Sequence, residues 1–223
     1  GAMVAEWYLS PDWDEQAQAD FRLRLSHERD RRVFYLGQKA AAIADEHPED
    51  ALALYDQKIA AAEYEDEIVP ALHAQAMIHF RAGDYEAMFS AFERAIEVGG
   101  EFTAIAAITD YCSAVGLLRD ETRYDTALAW LDKLDTRAMT QLGQPFVGFA
   151  ASAARAFICW QIGDRELATN AARDALEMSI SDDPLPGLPC IGAAPKPPSP
   201  VHDRLLVIAG LWDDDKLGPA PRP

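Results

Sequence analysis

"HFRAGDYEAMFSAFERAIE", residues 79–97, decides how this chain is read. A glycine and an aspartate stand between two runs whose apolar residues recur at helical spacing. Glycine can enter the left-handed turn that closes one helix, and Asp84 or Tyr85 can open the next. Met88, Phe92 and Ala95 then fall on one side of that second helix. The flanking residues offer no nucleophile beside a base. Gly83-Asp84 therefore reads as the turn of a helical hairpin, not as a catalytic loop.

Outward from this turn, helical periodicity runs from about residue 15 to 180. In residues 51–67, Ala51, Leu52, Tyr55 and Ile59 share one side of a helix. In "TALAWLDKLD", Leu128, Leu131 and Leu134 do the same, with Asp132 and Asp135 turned outward. No sustained alternation marks a strand, and no Asn-Gly or Asp-Gly hairpin is present. The predicted class is all-α. Breaks are expected near His47-Pro48, Ile68-Val69-Pro70, Gly83-Asp84, Gly99-Gly100, Asp120 to Tyr124, Gly143 to Pro145 and Gly163-Asp164. Short connections of this kind make sequential helices antiparallel neighbours.

Two segments align on their glycine turns, "MIHFRAGDYEAMFSAFERAIE" and "FICWQIGDRELATNAARDALE". Met88 then pairs with Ala168, Phe92 with Ala172, Ala95 with Ala175 and, ahead of the glycines, Ala76 with Ala156. On these residues the chain resembles the tetratricopeptide repeat family, which places a small residue in its first helix and Ala, aromatic and Ala in its second. Residues 69–98 match through Leu72, Ala76, Gly83, Tyr85, Phe92 and Ala95, with Met88 in place of the family's alanine. Residues 149–178 match through Ala156, Ala168 and Ala175, and weaker copies lie around 35–55 and 113–131. Gly83 and Gly163 are 80 positions apart with one degenerate unit between them. That spacing gives about 40 residues per repeat against about 34 in the family. The resemblance covers roughly residues 30–180 and implies an array of antiparallel helical hairpins, a tetratricopeptide-like α-solenoid with a Pro-rich C-terminal extension.

The flanks differ from the repeats. Gly1-Ala2-Met3 reads as the remnant of a cleaved expression tag. Residues 4–32 form an N-terminal capping region, with a helix expected from near Trp13, Ser10 or Asp12 as its cap, and Trp7, Tyr8 and Trp13 closing the end of the array. Arg22, Arg24, Arg29, Arg31 and Arg32 make a local basic cluster. It reads as a solvated face paired with nearby carboxylates, or as a docking patch for an acidic partner or a second copy of the chain. The repeats occupy residues 33–180, and residues 181–223 hold a Pro-rich linker and the apolar "LLVIAGLW". Seven prolines between 184 and 200 forbid helix there, while the apolar segment is expected to fold back onto the array.

The formal charge of −17 excludes sequence-independent binding to nucleic acid or to an anionic membrane surface. No apolar run reaches the roughly 18 residues of a membrane span, and no secretory pattern follows the tag remnant. Cys112, Cys159 and Cys190 form neither a CxxC pair nor a metal spacing. They read as reduced thiols of a cytoplasmic protein, bacterial by its Ala- and Arg-rich composition. No HExxH, GxSxG, Walker A or GxGxxG motif in its strand and helix context is present. His73 and His79 stand about 240° apart around a helix and cannot share a metal. Acidic runs at 63–67 and 213–215 lack the spacing of a calcium loop. No catalytic residue, metal ligand or cofactor is assigned.

The resemblance to the tetratricopeptide family implies a concave groove that takes a peptide or partner helix. Carried over, its lining falls on Pro70, His73, Met77, Phe80 and Arg81 in one unit and on Ala153, Phe157, Trp160 and Gln161 in the later one. The Lys and Asn with which family members clamp a chaperone's C-terminal carboxylate are missing at these positions. The expected function is a non-enzymatic protein–protein interaction module. The alternatives are an acidic regulator covering a basic protein and, third, an enzyme on a helical scaffold.

Overall fold

The computed structural model describes residues 6–134, 145–180 and 200–211. Among these residues every regular element is helical, as the sequence predicts. Ten α-helices follow one another: α1 Glu15–His27, α2 Arg32–Ile43, α3 Pro48–Ala61, α4 Glu65–Ala82, α5 Tyr85–Thr103, α6 Ile105–Leu118, α7 Tyr124–Lys133, α8 Pro145–Ile162, α9 Arg165–Ile180 and α10 Pro200–Ile208. Short 3₁₀ turns at Arg29–Arg31 and Glu121–Arg123 precede α2 and α7. The tag remnant, the prolines from 184 to 198, Cys190, Trp212 and the aspartates at 213–215 lie outside the described residues. The chain divides into two compact units, Gly1–Ala107 and Ile108–Pro223, with the division falling inside α6.

In the first unit, α2 packs on α3, α3 on α4, and α4 on α5. One core joins Trp13, Phe21 and Leu25 of the N-terminal region to Tyr35, Leu36, Ala40 and Ile43 of α2, Leu54 of α3, and Ala71 and Ile78 of α4. Trp7 and Tyr8 pack at its edge, with the Trp7 ring centroid 4.9 Å from that of Tyr35 and 5.4 Å from that of Phe21. Helix α1 starts two residues later than expected. Asp14 is its cap and accepts from the Ala17 amide at 2.8 Å, because Ser10 and Asp12 are engaged with each other. Trp13 is thereby left ahead of the helix and buried.

The turn at Gly83-Asp84 forms as the opening stretch requires. Gly83 is left-handed (φ 75°), its amide donates to the Phe80 carbonyl, and the Asp84 amide reaches back to the His79 carbonyl. This pair of bonds is the Schellman closure. Asp84 then caps α5 by accepting from the Ala87 amide at 3.2 Å. The second unit repeats the arrangement: Gly163 (φ 87°) donates to Trp160, Asp164 donates to Cys159, and the Asp164 carboxylate accepts from Leu167. All eight residues paired in the two aligned segments are buried. The break expected at Ile68-Val69-Pro70 falls instead at Ala62 to Tyr64, and Pro70 sits inside α4. Early in a helix proline removes a single ladder bond. Burial of Val69, Leu72 and Ala76 along the same helix holds it together across that gap.

In the second unit α8 packs along α9, α7 lies against α8, and α10 lies against both α8 and α9. The last contact places Leu205, Ile208 and Ala209 in one cluster with Phe149, Ala156, Phe157, Ala172 and Leu176. The expected fold-back of the C-terminal apolar segment thus occurs, onto the α8–α9 pair. The Thr169 hydroxyl fastens it by donating to the Ile208 carbonyl at 3.2 Å, and Gly210 (φ 75°) closes α10 with the same Schellman bonds.

Candidate functional site

Helix α4 is fixed by one buried arc, Val69, Ala71, Leu72, Gln75, Ala76 and Ile78. Gln75 ties it to α3, donating to the Asp56 carboxylate at 2.7 Å and to the Leu52 carbonyl at 3.2 Å. At about 100° per residue, the complementary arc carries Pro70, His73, Met77, Phe80 and Arg81. These are the residues nominated from the sequence for the first half of a groove. The fold leaves Pro70, Phe80 and Arg81 exposed and His73 and Met77 half-buried. His73 lies against Phe92 of α5 (ring centroids 5.8 Å apart), and Phe80 lies near Tyr85 (6.2 Å). Phe80 keeps 38 % of its surface accessible beside an exposed guanidinium, so this face can take an apolar side chain and a carboxylate together.

The set nominated on α8 is placed differently. Ala153 and Phe157 are each 4 % exposed and belong to the core, so neither can line a groove in this structure. Gln161 accepts from the Tyr124 hydroxyl and donates to the Gly116 carbonyl at 2.8 Å, so it joins α8 to α6 and α7. Trp160 is half-buried, with the Arg165 guanidinium 3.5 Å from its ring centroid. Aromatic residues at helical spacing serve a core or a groove equally well. Only the packing of α6, α9 and α10 assigns Phe157 to the core.

The basic cluster separates into distinct surroundings. Arg24 lies over the Trp7 ring at 5.8 Å, and Arg31 over Phe34 and Tyr35 at 4.9 and 5.1 Å. Arg22 and Arg32 line one cavity between α1, α2 and α3, where Arg22 donates to Gln18 at 3.2 Å. Arg29 is exposed. The expected pairing with nearby carboxylates is replaced, among the described residues, by stacking on rings and by exposure. At the surface a guanidinium gains as much from a flat aromatic face as from a mobile carboxylate.

Lys39 is not among the residues that motif and spacing nominate. It stands in the apolar stripe Leu36, Ala40 and Ile43, and that position is the signal that could have revealed it. It is 2 % exposed, and its Nζ donates to the carbonyls of Ser10 at 2.6 Å and Asp12 at 3.1 Å, under the rings of Trp13 and Phe21. Burial lowers its pKa from the usual lysine range, and Asp12 opposes the shift. This lysine pins the N-terminal segment to α2. Burial pushes the Cys112 thiol up to about 12 and raises that of Cys159, so neither is primed as a nucleophile. Among the described residues no three His, Cys, Asp or Glu side chains converge as metal ligands, and no helix is long and apolar enough to cross a membrane. No protein-family model, curated protein or solved structure matches the chain.

Proposed function

We propose that this chain is a non-enzymatic protein–protein interaction module, a tetratricopeptide-like array of helical hairpins with a repeat of about 40 residues. In this reading a peptide or partner helix docks on the face of α4 that carries His73, Met77, Phe80 and Arg81; Trp160 is the candidate contact of the second unit, taken by itself. The observation that carries it is the accessible arc of α4: methionine, phenylalanine and arginine left outside the core along one helix face. Methionine adapts to varied apolar partners, and arginine engages carboxylates bidentately. Support for the repeat architecture comes from two glycine turns closed by the same hydrogen bonds, with the same register of buried residues after each. Two buried free thiols accord with a reducing compartment, the cytoplasm.

The charge of −17 favours a second reading, an acidic regulator that covers a basic protein. Capture from native lysate at low and high salt separates the two. It uses the wild-type chain beside a Phe80→Ala, Trp160→Ala variant whose folding is checked by circular dichroism. A groove module retains its partner at high salt and loses it in the folded variant. Partner loss with salt alone, indifferent to the variant, assigns the acidic surface and sinks the groove.

A further inference from the structure

In the first unit, α1, α2 and α3 line a half-open cavity of about 380 Å³, within the range of small-molecule sites. Its lining has two kinds of residue. Trp13, Phe21, Leu25 and Leu54 are core residues and supply an apolar floor, while Arg22, Arg32, Asp50 and two glutamines supply polar groups. That is the chemistry of a site for an amphipathic small molecule, with an apolar body below and a charged group at the mouth.

Three observations fix which charged group. First, guanidiniums from two different helices reach this one cavity, in a chain whose carboxylates outnumber its Lys and Arg by 37 to 20. Second, neither Arg22 nor Arg32 forms an ion pair with a described carboxylate, although Asp50 lines the same cavity. The two arginines and Asp50 leave one net positive charge, which matches a monoanion better than a dianion. Third, Trp13 is 8 % exposed and its indole Nε1 is buried with no hydrogen-bond partner. A buried donor without an acceptor is costly to leave unmade, and the indole that carries it lines the cavity, so a turn of that ring would bring the N–H to an acceptor bound there.

We infer that the α1–α3 cavity is a binding site for a small organic monocarboxylate with an apolar body, its carboxylate held by Arg22 and Arg32. The site lies apart from the α4 face and does not depend on the interaction-module reading.

The test is titration of the ¹⁵N-labelled full chain with three probes that share a phenyl group: phenylacetate, phenylacetamide and phenyl phosphate. The signal followed is the Trp13 indole N–H, assigned by loss of its peak in Trp13→Phe. Phenylacetate is expected to shift that peak saturably. Its apparent Kd should rise at least about tenfold in an Arg22→Gln, Arg32→Gln variant, since the loss of even one of the two charge-assisted contacts is of that size. Phenylacetamide should bind as weakly to the wild type as phenylacetate does to that variant, and phenyl phosphate more weakly than phenylacetate. Ala53→Phe, which fills the cavity from an exposed position without adding or removing a charge, should abolish the phenylacetate shift. Absence of any saturable shift overturns the site, and so does phenylacetate binding that survives Ala53→Phe. Equal binding by the amide, an unchanged Kd in the double variant, or tighter binding of the phosphate overturns the carboxylate assignment.

Discussion

At Cys112 the thiol is buried, lies 3.5 Å from the Ala127 carbonyl oxygen, and is pushed up to about 12 by desolvation, with Arg155 pulling the other way. Unfolded, the same thiol titrates near 9.0. Between these values the unfolded chain releases a proton that the folded chain keeps, so stability falls as pH rises through this window, by about 1.4 kcal/mol per pH unit. Cys112→Ala should therefore lose less stability than the wild type between about pH 8 and about pH 10.5, measured as urea unfolding free energies. Equal losses in the two proteins would refute the assignment. Lys39 acts in the opposite sense, because its folded pKa lies below its unfolded one and its cost fades as pH rises toward 10.5. Its place in an apolar stripe is legible in the sequence. Its acceptors are not, since the Ser10 and Asp12 carbonyls belong to a segment 29 and 27 residues away.

Gly99 and Gly100 show what a pair of adjacent glycines does to an element. The pair is a break in the sequence and a kink in the structure, where α5 continues to Thr103 across a non-helical Gly100 (φ 62°, ψ −158°). The two residues are there for different reasons. Gly100 supplies a backbone conformation that other residues avoid, whereas a Cβ at Gly99 would stand 2.8 Å from Val69 Cγ2 and 3.0 Å from the Ala104 amide. Gly99→Ala should cost about 1–3 kcal/mol by overpacking the α4–α5 contact. Pairing it with Val69→Ala, which clears the nearest atom, should give a total loss smaller than the sum of the two single losses, measured by chemical denaturation. Strict additivity would show that the contact is not the cause. The position of the kink follows from the sequence. The approach of Val69, 30 residues earlier, does not.

At the scale of the whole molecule, each unit gathers its own core. In the second unit α10 contributes Leu205, Val207 and Ile208, and the turn after it Ala209, all buried, after a proline-rich stretch of chain. Ending the chain at residue 199 should uncover the α8–α9 face and cost about 4–9 kcal/mol, since each of the three large apolar side chains lost from burial is worth roughly 1.5–3 kcal/mol. Thermal unfolding monitored by circular dichroism reads that loss, and an unchanged midpoint would show α10 to be an appendage. The truncation also separates stability from binding. An α10 that only completes the core leaves partner capture through the α4 face intact while the fold persists.

By itself the sequence determined the helical class, the turns at Gly83 and Gly163, and the buried register after each. All of these rest on contacts within a few residues: the 3.6-residue period, a glycine able to turn left-handed and an aspartate that caps. Tertiary structure alone decided which amphipathic faces are covered. Phe80 and Phe157 look alike in the sequence, yet one keeps 38 % of its surface and the other 4 %. Gly116 explains part of the difference, because a Cβ there would come 3.2 Å from that of Phe157. The cavity that gathers Trp13, Arg22, Arg32 and Asp50 is likewise drawn from three helices. Burial is a property of what packs against a residue, and the packing partners here lie tens of residues away. The Gln161 to Gly116 hydrogen bond spans 45 of them. Local periodicity carries no record of such neighbours.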